Sequence, residues 1–249
     1  MKSFKARGVV IRETEAGESD KRLTLLCKGH GKLNVYARGA RKAKSKFLGA
    51  AQLFCYGDYV INDGGAFLAM AQAQPIESFY RVRGDYDALR HAHYAAEICE
   101  KAVLEDTQAD ELLLLLLKTL KRLDRAAANN EGVPPRQVSA VFLFRFFKYY
   151  GIAPEAGACC ACGDEGIGSL RYFGADGALC ESCAKKTPRR ALMSAAALEA
   201  LKHILESGLN EAFMFKISGA ALGELIHAGR LFWERHMQIG LLSEAMLDA

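Results

Sequence analysis

Four of the eight cysteines in this 249-residue chain fall in a pattern with a chemical meaning, Cys159-x2-Cys162-x17-Cys180-x2-Cys183. A C-x-x-C turn presents two thiolates to one metal ion. Two such turns separated by roughly 15–20 residues match the four-cysteine zinc spacing. Together they supply the four sulfurs of a tetrahedral Zn2+ site, and with no coordination position left open the metal is expected to be structural. Gly163 eases the first turn, and Gly174, Asp176 and Gly177 suit a small hairpin between the two pairs. The competing reading is a pair of redox-active dithiols or unmetallated cysteines. Cys160 stands beside Cys159 and would give C-x-C, so spacing favours Cys159 without settling the first ligand. Cys27, Cys55 and Cys99 lie in strand or helix patterns and read as core thiols.

The second constellation is basic. Residues 1–50 hold 13 Lys/Arg and four Asp/Glu, whereas the rest of the chain is mildly acidic. A basic end on an acidic body suggests a polyanion partner. Lys32, Arg38, Arg41, Lys42, Lys44 and Lys46 are the densest part. The segment 38–46 contains glycine and serine and lacks an apolar period, so it reads as a flexible loop able to track a phosphate backbone. Lys2, Lys5, Arg7, Arg12, Lys21 and Arg22 add charge, and Phe4, Tyr36, Phe47, Phe54 and Tyr56 offer rings for base stacking. Against this stands a merely solvated loop with its aromatics in the core.

Catalytic readings are weak. The chain has no phosphate-binding Gly-rich loop, no H-E-x-x-H and no G-x-S-x-G. The six histidines are scattered. Glu13, Glu15, Glu18 and Asp20 are conceivable ligands for a metal-dependent nuclease, but one strand-turn segment carries them all, and bracing that turn is the simpler role. Lys118, Lys121, Arg122 and Arg125 sit at helical spacing beside leucines; a solvated face is the simpler reading, and a groove for an acidic, hydrophobic peptide the sharper one. Neither helix-turn-helix nor ββα-finger signatures are present, so sequence-specific readout is not expected.

The elements that must position these groups fall into three parts. Short apolar or alternating runs at Val9–Ile11, Leu23–Leu26, Leu33–Val35, Tyr59–Ile61, Phe67–Ala73 and Ile76–Tyr80, separated by turn signals, predict a small closed β-barrel over 1–80. Asp85 then caps a helix to about Glu105, a leucine-dense helix follows over about 109–127, and Pro134–Pro135 open a third that ends at Gly151. That third helix is apolar on nearly every face, from Val138 to Phe147, and is predicted to be the centre of a bundle. Helices resume over about 194–207 and 219–238. The expected plan is α+β and multidomain: a barrel over 1–80, a helical domain over 81–155 and 187–249, and a cysteine-rich insert over 156–186. No segment has the basic start and apolar core of a secretory signal, and none reaches the roughly 18 apolar residues of a membrane span. A cytoplasmic location with reduced thiols is therefore expected.

The chain resembles the bacterial RecO family of recombination mediators. The matching blocks are Gly8-Val9-Val10-Ile11, Glu18-Ser19-Asp20, Leu23-Thr24-Leu25-Leu26, Gly31-Lys32 and Ala37-Arg38-Gly39-Ala40-Arg41-Lys42, with Ser45. A second set is Gly151-Ile152-Ala153-Pro154 followed by the two C-x-x-C pairs. The resemblance spans essentially the whole chain. It implies an N-terminal OB-fold, a helical domain and a four-cysteine zinc insert. It also implies binding to single- and double-stranded DNA, annealing of complementary strands, and no catalytic centre. Implied partners are RecR, the acidic tail of the single-stranded-DNA-binding protein and, indirectly, the RecA recombinase. The family's DNA-contacting loop would fall on Arg38, Arg41, Lys42, Lys44 and Lys46. For the partner tail, Lys121, Arg122, Arg125 and Arg136 are candidates only. The Cys159–Cys160 doublet and the aromatic stretch Phe142–Phe147 depart from the expected pattern.

Overall fold

The first strand is long enough to serve two neighbours. In the computed structural model, β1 (Lys2–Ala16) pairs with β2 (Asp20–Cys27) through its second half and with β4 (Tyr56–Asp63) through its first. A β-bulge between Val10 and Arg12 lets it bend between the two. β3 (Gly31–Ala37) and β5 (Leu68–Glu77) complete a closed barrel in the order β1-β2-β3-β5-β4, with β3 and β5 parallel and the other pairs antiparallel. This is a five-stranded barrel of OB type. Its interior holds Val10, Leu23, Leu25, Leu33, Val35, Tyr59 and Ile61, all buried. The structure describes every residue except 1, 106, 130, 131, 167–169, 244–246, 248 and 249.

Two features of the barrel differ from the sequence expectation. Phe67–Ala73 and Ile76–Tyr80 are not separate strands: β5 runs unbroken through Pro75 to Glu77. The connection between β3 and β4 is not a flexible loop either. It is a series of tight turns that buries Ala40, Phe47, Ala50, Ala51 and Cys55 in the barrel core. Four of its nine apolar residues are alanines, and the spacing is too irregular to announce a buried segment.

The chain divides into two compact units, residues 1–132 with 241–249, and residues 133–240. In the first, α1 (Tyr80–Gly84), α2 (Tyr86–Ala102) and α3 (Asp110–Asn129) follow the barrel. Asp85 caps α2 by accepting from Ala88 N at 2.8 Å. α3 buries Leu113, Leu115, Leu116, Leu120 and Leu123, each worth about 1.5–3 kcal/mol relative to exposure. Polar contacts fasten this layer to the barrel: Gly29 N to Asp110 (2.7 Å), Lys32 Nζ to Glu100 O (2.8 Å) and Asn34 Nδ2 to Glu105 (2.7 Å). The helices over 86–129 thus group with the barrel, where the sequence suggested a single helical domain from residue 81 onward.

The second unit is built around α4 (Pro135–Tyr149), whose residues 137–147 are all buried, as its all-round apolar sequence predicts. α6 (Ala195–Glu206) and α7 (Gly219–His236) pack on it. A Cβ on Gly229 would stand 2.8 Å from Leu143 Cδ2 and against the Phe144 ring, so a side chain there would require the Leu143 side chain to shift. Arg145, only 2% exposed, donates to Ser207 O, and Lys148 donates to Leu205 O. These cations satisfy the carbonyls that the end of α6 leaves unpaired.

The cysteine-rich segment adds β6 (Leu170–Phe173), β7 (Ala178–Cys180), the single-turn α5 (Glu181–Ala184) and β8 (Ala191–Leu192). Its three-stranded sheet, in the order β7-β6-β8, carries the module beyond residue 186. The module also has an apolar anchor that the sequence did not show. Phe173 is fully buried and its ring lies 6.5 Å from that of Phe232 on α7.

Candidate nucleic-acid interface and metal centre

Strand register brings a set of polar and aromatic side chains to one outer face of the barrel. Thr14 pairs with Arg22, Arg22 with Tyr36 and Tyr36 with Ala69, while Arg12 pairs with Thr24 and Thr24 with Asn34. Because side chains alternate along each strand, these residues look outward while Leu23, Leu25, Leu33 and Val35 fill the core. They line a groove of about 910 Å³ together with Arg38 at the end of β3, Phe67 from the β4–β5 turn and Glu100 of α2. The face of strands 2 and 3 with its flanking loops is where OB-folds hold oligonucleotides.

The groove has the two chemistries that a single strand requires. Arg12, Arg22 and Arg38 are exposed cations. Phe67 is 51% exposed, with Tyr36 at 6.1 Å between ring centroids and the Arg38 guanidinium 5.7 Å from its centre. Cations neutralise phosphates, and an exposed ring accepts a stacked base. Two carboxylates set limits. Glu100 pairs with Arg12 at 2.8 Å. Asp20 accepts from Gly39 N at 2.7 Å and from the Tyr36 and Ser19 hydroxyls, which hold its carboxyl below the usual range. Asp20 in turn raises the Tyr36 phenol.

The predicted basic residues divide. Arg38 lines the groove. Lys42 and Lys44 are exposed on the outer side of the turn-rich β3–β4 connection. Arg41 pairs with Glu15 at 2.9 Å and donates to the carbonyls of Gly17 and Glu18, bracing the β1–β2 turn. Lys46 donates to Ala71 O at 2.8 Å and covers the Phe47 ring. Lys32 is tied to the Glu100 carbonyl and stands apart from the others. Arg12, Arg22, Tyr36 and Phe67 gain their importance from cross-strand register; the alternation of β2 and β3 was the available signal.

The acidic residues proposed for a nuclease do not converge. Glu13 pairs with Lys21 at 2.9 Å, Glu15 with Arg41, and Asp20 is saturated by the donors named above. Among the described residues, the only grouping of three or more His, Cys, Asp or Glu poised to hold a metal is the four cysteines. On α3, Lys121 and Arg125 are exposed and Arg122 is half-buried; Arg136 is exposed near the start of α4, in the other unit.

At the candidate metal centre, one thiol sulfur from each of Cys159, Cys162, Cys180 and Cys183 lies within 4.8 Å of the others. Cys162 and Cys180 sulfurs are 3.8 Å apart, close to the edge of a tetrahedron with metal–sulfur bonds of about 2.3 Å. The first turn closes through Gly163 N to Cys159 O at 2.8 Å, with Gly163 at φ +76°, where a side chain is disfavoured. Cys160 N donates to Ala178 O, and its thiol lies outside the sulfur cluster. The Ser182 hydroxyl and then the Cys183 N–H bring the Cys180 thiol down to about 6. Hydrogen bonding to Cys162 and Cys180 pushes Cys183 up to about 12. Four thiols this close cannot all ionise without a cation among them.

Family comparison covers almost the whole chain. Residues 1–79 match the model described as Recombination protein O N terminal, and residues 83–245 match Recombination protein O C terminal. The DNA repair protein RecO of Acetivibrio thermocellus is 30% identical over 239 residues, covering 96% of this chain and 93% of the relative. That of Anaeromyxobacter dehalogenans strain 2CP-C is 33% identical over 253 residues, covering 100% and 97%. That of Bacillus velezensis is 28% identical, covering 98% and 93%.

Proposed function

The chain belongs to the RecO family of DNA repair proteins, and from that membership we propose that it is a non-catalytic recombination mediator. It binds single- and double-stranded DNA, anneals complementary strands and helps load RecA onto coated single strands. The observation that carries this reading is the barrel groove, where Arg12, Arg22 and Arg38 stand beside Tyr36 and Phe67. Annealing requires that two like-charged strands be neutralised and held with bases accessible. Arginines and a stacking ring suffice for that, and no nucleotide or reacting group is needed.

The exposed cations Lys42 and Lys44 extend the groove's positive field along the backbone. RecR and the acidic tail of the single-stranded-DNA-binding protein are the proposed protein partners. Lys121, Arg122 and Arg125 on α3 are candidate contacts for the tail, supported by their charge and, for Lys121 and Arg125, by exposure; Arg136, exposed on α4 of the other unit, is a separate candidate. The four thiolates suit a structural Zn2+, since the donor set is all sulfur and closed. The proposed site of action is the bacterial cytoplasm; among the described residues no helix is long and apolar enough to cross a membrane.

The test is annealing of complementary strands coated with single-stranded-DNA-binding protein, using intact or tail-deleted coat. A mediator anneals the intact complex and loses most of that activity when the tail is removed. Equal annealing on both coats marks a plain DNA binder. No DNA binding at low salt marks a protein-only adaptor, and Mg2+-dependent cleavage abolished by Glu18→Ala marks a nuclease.

A further inference from the structure

The turn that leaves the metal centre carries a second concentration of cations. Lys185, Lys186, Arg189 and Arg190 fall within six residues between α5 and β8, and all four are exposed. A shallow hollow of about 360 Å³ opens beside them, lined by Arg189, by Glu234 and Arg235 of α7 and by Gln238 just beyond it. We infer that this face of the cysteine-rich module is a second phosphate-backbone site. It would hold one DNA strand while the barrel groove holds another. The inference rests on the DNA-binding reading of the barrel and extends it to the second unit.

Three properties suit the site to a backbone. The turn is rigid: Lys186 N donates to Cys183 O and Thr187 N to Ala184 O, both at 3.0 Å, and Arg190 closes on Thr187 O at 2.7 Å. The backbone that carries the cations is therefore fixed to the frame of the four cysteines, and Arg190 is held by its own side chain. The opposing carboxylates are held only in surface pairs: Glu181 with Lys185 at 3.1 Å, and Glu234 with Arg189. Exposed pairs of this kind are weak and exchange readily for a phosphate. Finally, none of the residues lining the hollow is aromatic. Bases have nothing to stack on there, so this site reads charge alone and accepts single strands and duplex alike. A protein with one base-stacking groove and one backbone-only site can keep a strand presented for pairing while retaining its complement.

A rival role for these cations is to balance the metal centre, because Zn2+ with four thiolates carries two net negative charges. The test separates the two with the full chain. The unmodified protein, Lys186→Glu/Arg189→Glu and the milder Lys186→Gln/Arg189→Gln are compared for bound zinc, for binding to an immobilised oligo-dT strand, and for capture of a second, differently labelled strand. Expected results are unchanged zinc and first-strand affinity within about threefold, with second-strand capture reduced at least fivefold. The log–log salt slope of that capture should fall by about 1–2, near the 0.7–0.9 expected per lost phosphate contact. Undiminished capture by both variants overturns the second site. So does zinc loss in step with capture, which would assign the cations to the metal. Failure of the unmodified chain to bind the first strand at low salt would instead sink the mediator reading itself.

Discussion

Truncating one ring, Phe67→Ala, should separate single-strand from duplex binding. The side chain is 51% exposed on the β4–β5 turn, so its removal opens no core cavity and should leave thermal unfolding nearly unchanged. In the complex it would carry one stacked base, worth about 1–3 kcal/mol. The Arg38 guanidinium, 5.7 Å from the ring centre, already sits over it in the free protein, so that pair adds nothing to the loss of affinity. A loss of about 1–3 kcal/mol corresponds to roughly 5–150-fold in Kd at 1.4 kcal/mol per tenfold. Duplex bases are already stacked on one another, so duplex binding should weaken less than about fivefold. Fluorescence anisotropy with a labelled oligo-dT and with a hairpin duplex, at one fixed salt concentration, reads both quantities. Phe67→Trp should restore single-strand affinity. Equal losses on the two substrates, or failure of tryptophan to rescue, would refute the stacking argument.

Three further outcomes are expected. Cys160→Ser should keep one zinc per chain and Cys159→Ser should lose it, as measured by metal analysis of the reduced protein; the reverse would move the first ligand. Phe173→Ala removes a fully buried ring between the module and α7 and should cost about 3–5 kcal/mol, lowering the unfolding midpoint and zinc retention together. A variant that unfolds early yet holds zinc normally would show that the metal alone organises the module. The third concerns Glu97. Burial pushes its carboxyl up, but Lys101, the Ser243 hydroxyl and the N–H groups of Ser243 and Leu242 outweigh this and set it at about 2, below the ordinary 4.5. Its stabilisation is therefore complete above about pH 4.5 and lost as pH falls toward about 2. Glu97→Gln should cost about 2 kcal/mol near neutrality, with the gap from the unmodified protein closing on acidification in urea titrations. A gap independent of pH would mean that charge is not what Glu97 contributes.

Much of this arrangement was legible because the relevant signals are local. Alternation in β2 and β3, the Asp85 cap and the all-apolar α4 each follow from neighbouring residues, and the four cysteines are read from spacing alone. What escaped depends on distant partners. The run Lys2–Ala6 has no apolar stretch of its own, and pairing with Tyr59–Asp63 makes it the start of β1. The segment 38–46 looked polar and mobile because its one buried residue, Ala40, is small, whereas Phe47, Ala50 and Ala51 just beyond it fill the barrel core. Arg22, Tyr36 and Phe67 become a site only when register lines up three strands and a turn. Arg41, by contrast, looked like a DNA contact but pairs with Glu15 across the β1–β2 turn, a commitment no linear reading displays.

The carboxylate of Glu97 also bears on how the chain matures during synthesis. It clasps Leu242 and Ser243, which belong to the barrel unit although roughly 110 residues of the other unit intervene. At about 5–20 residues per second, ribosomal elongation would deliver those clasping residues some 5–20 s after residue 132 has been joined. The unit made first is thus finished last, and a nascent chain halted anywhere between residues 133 and 240 would display α2 with that carboxylate still waiting for its clasp.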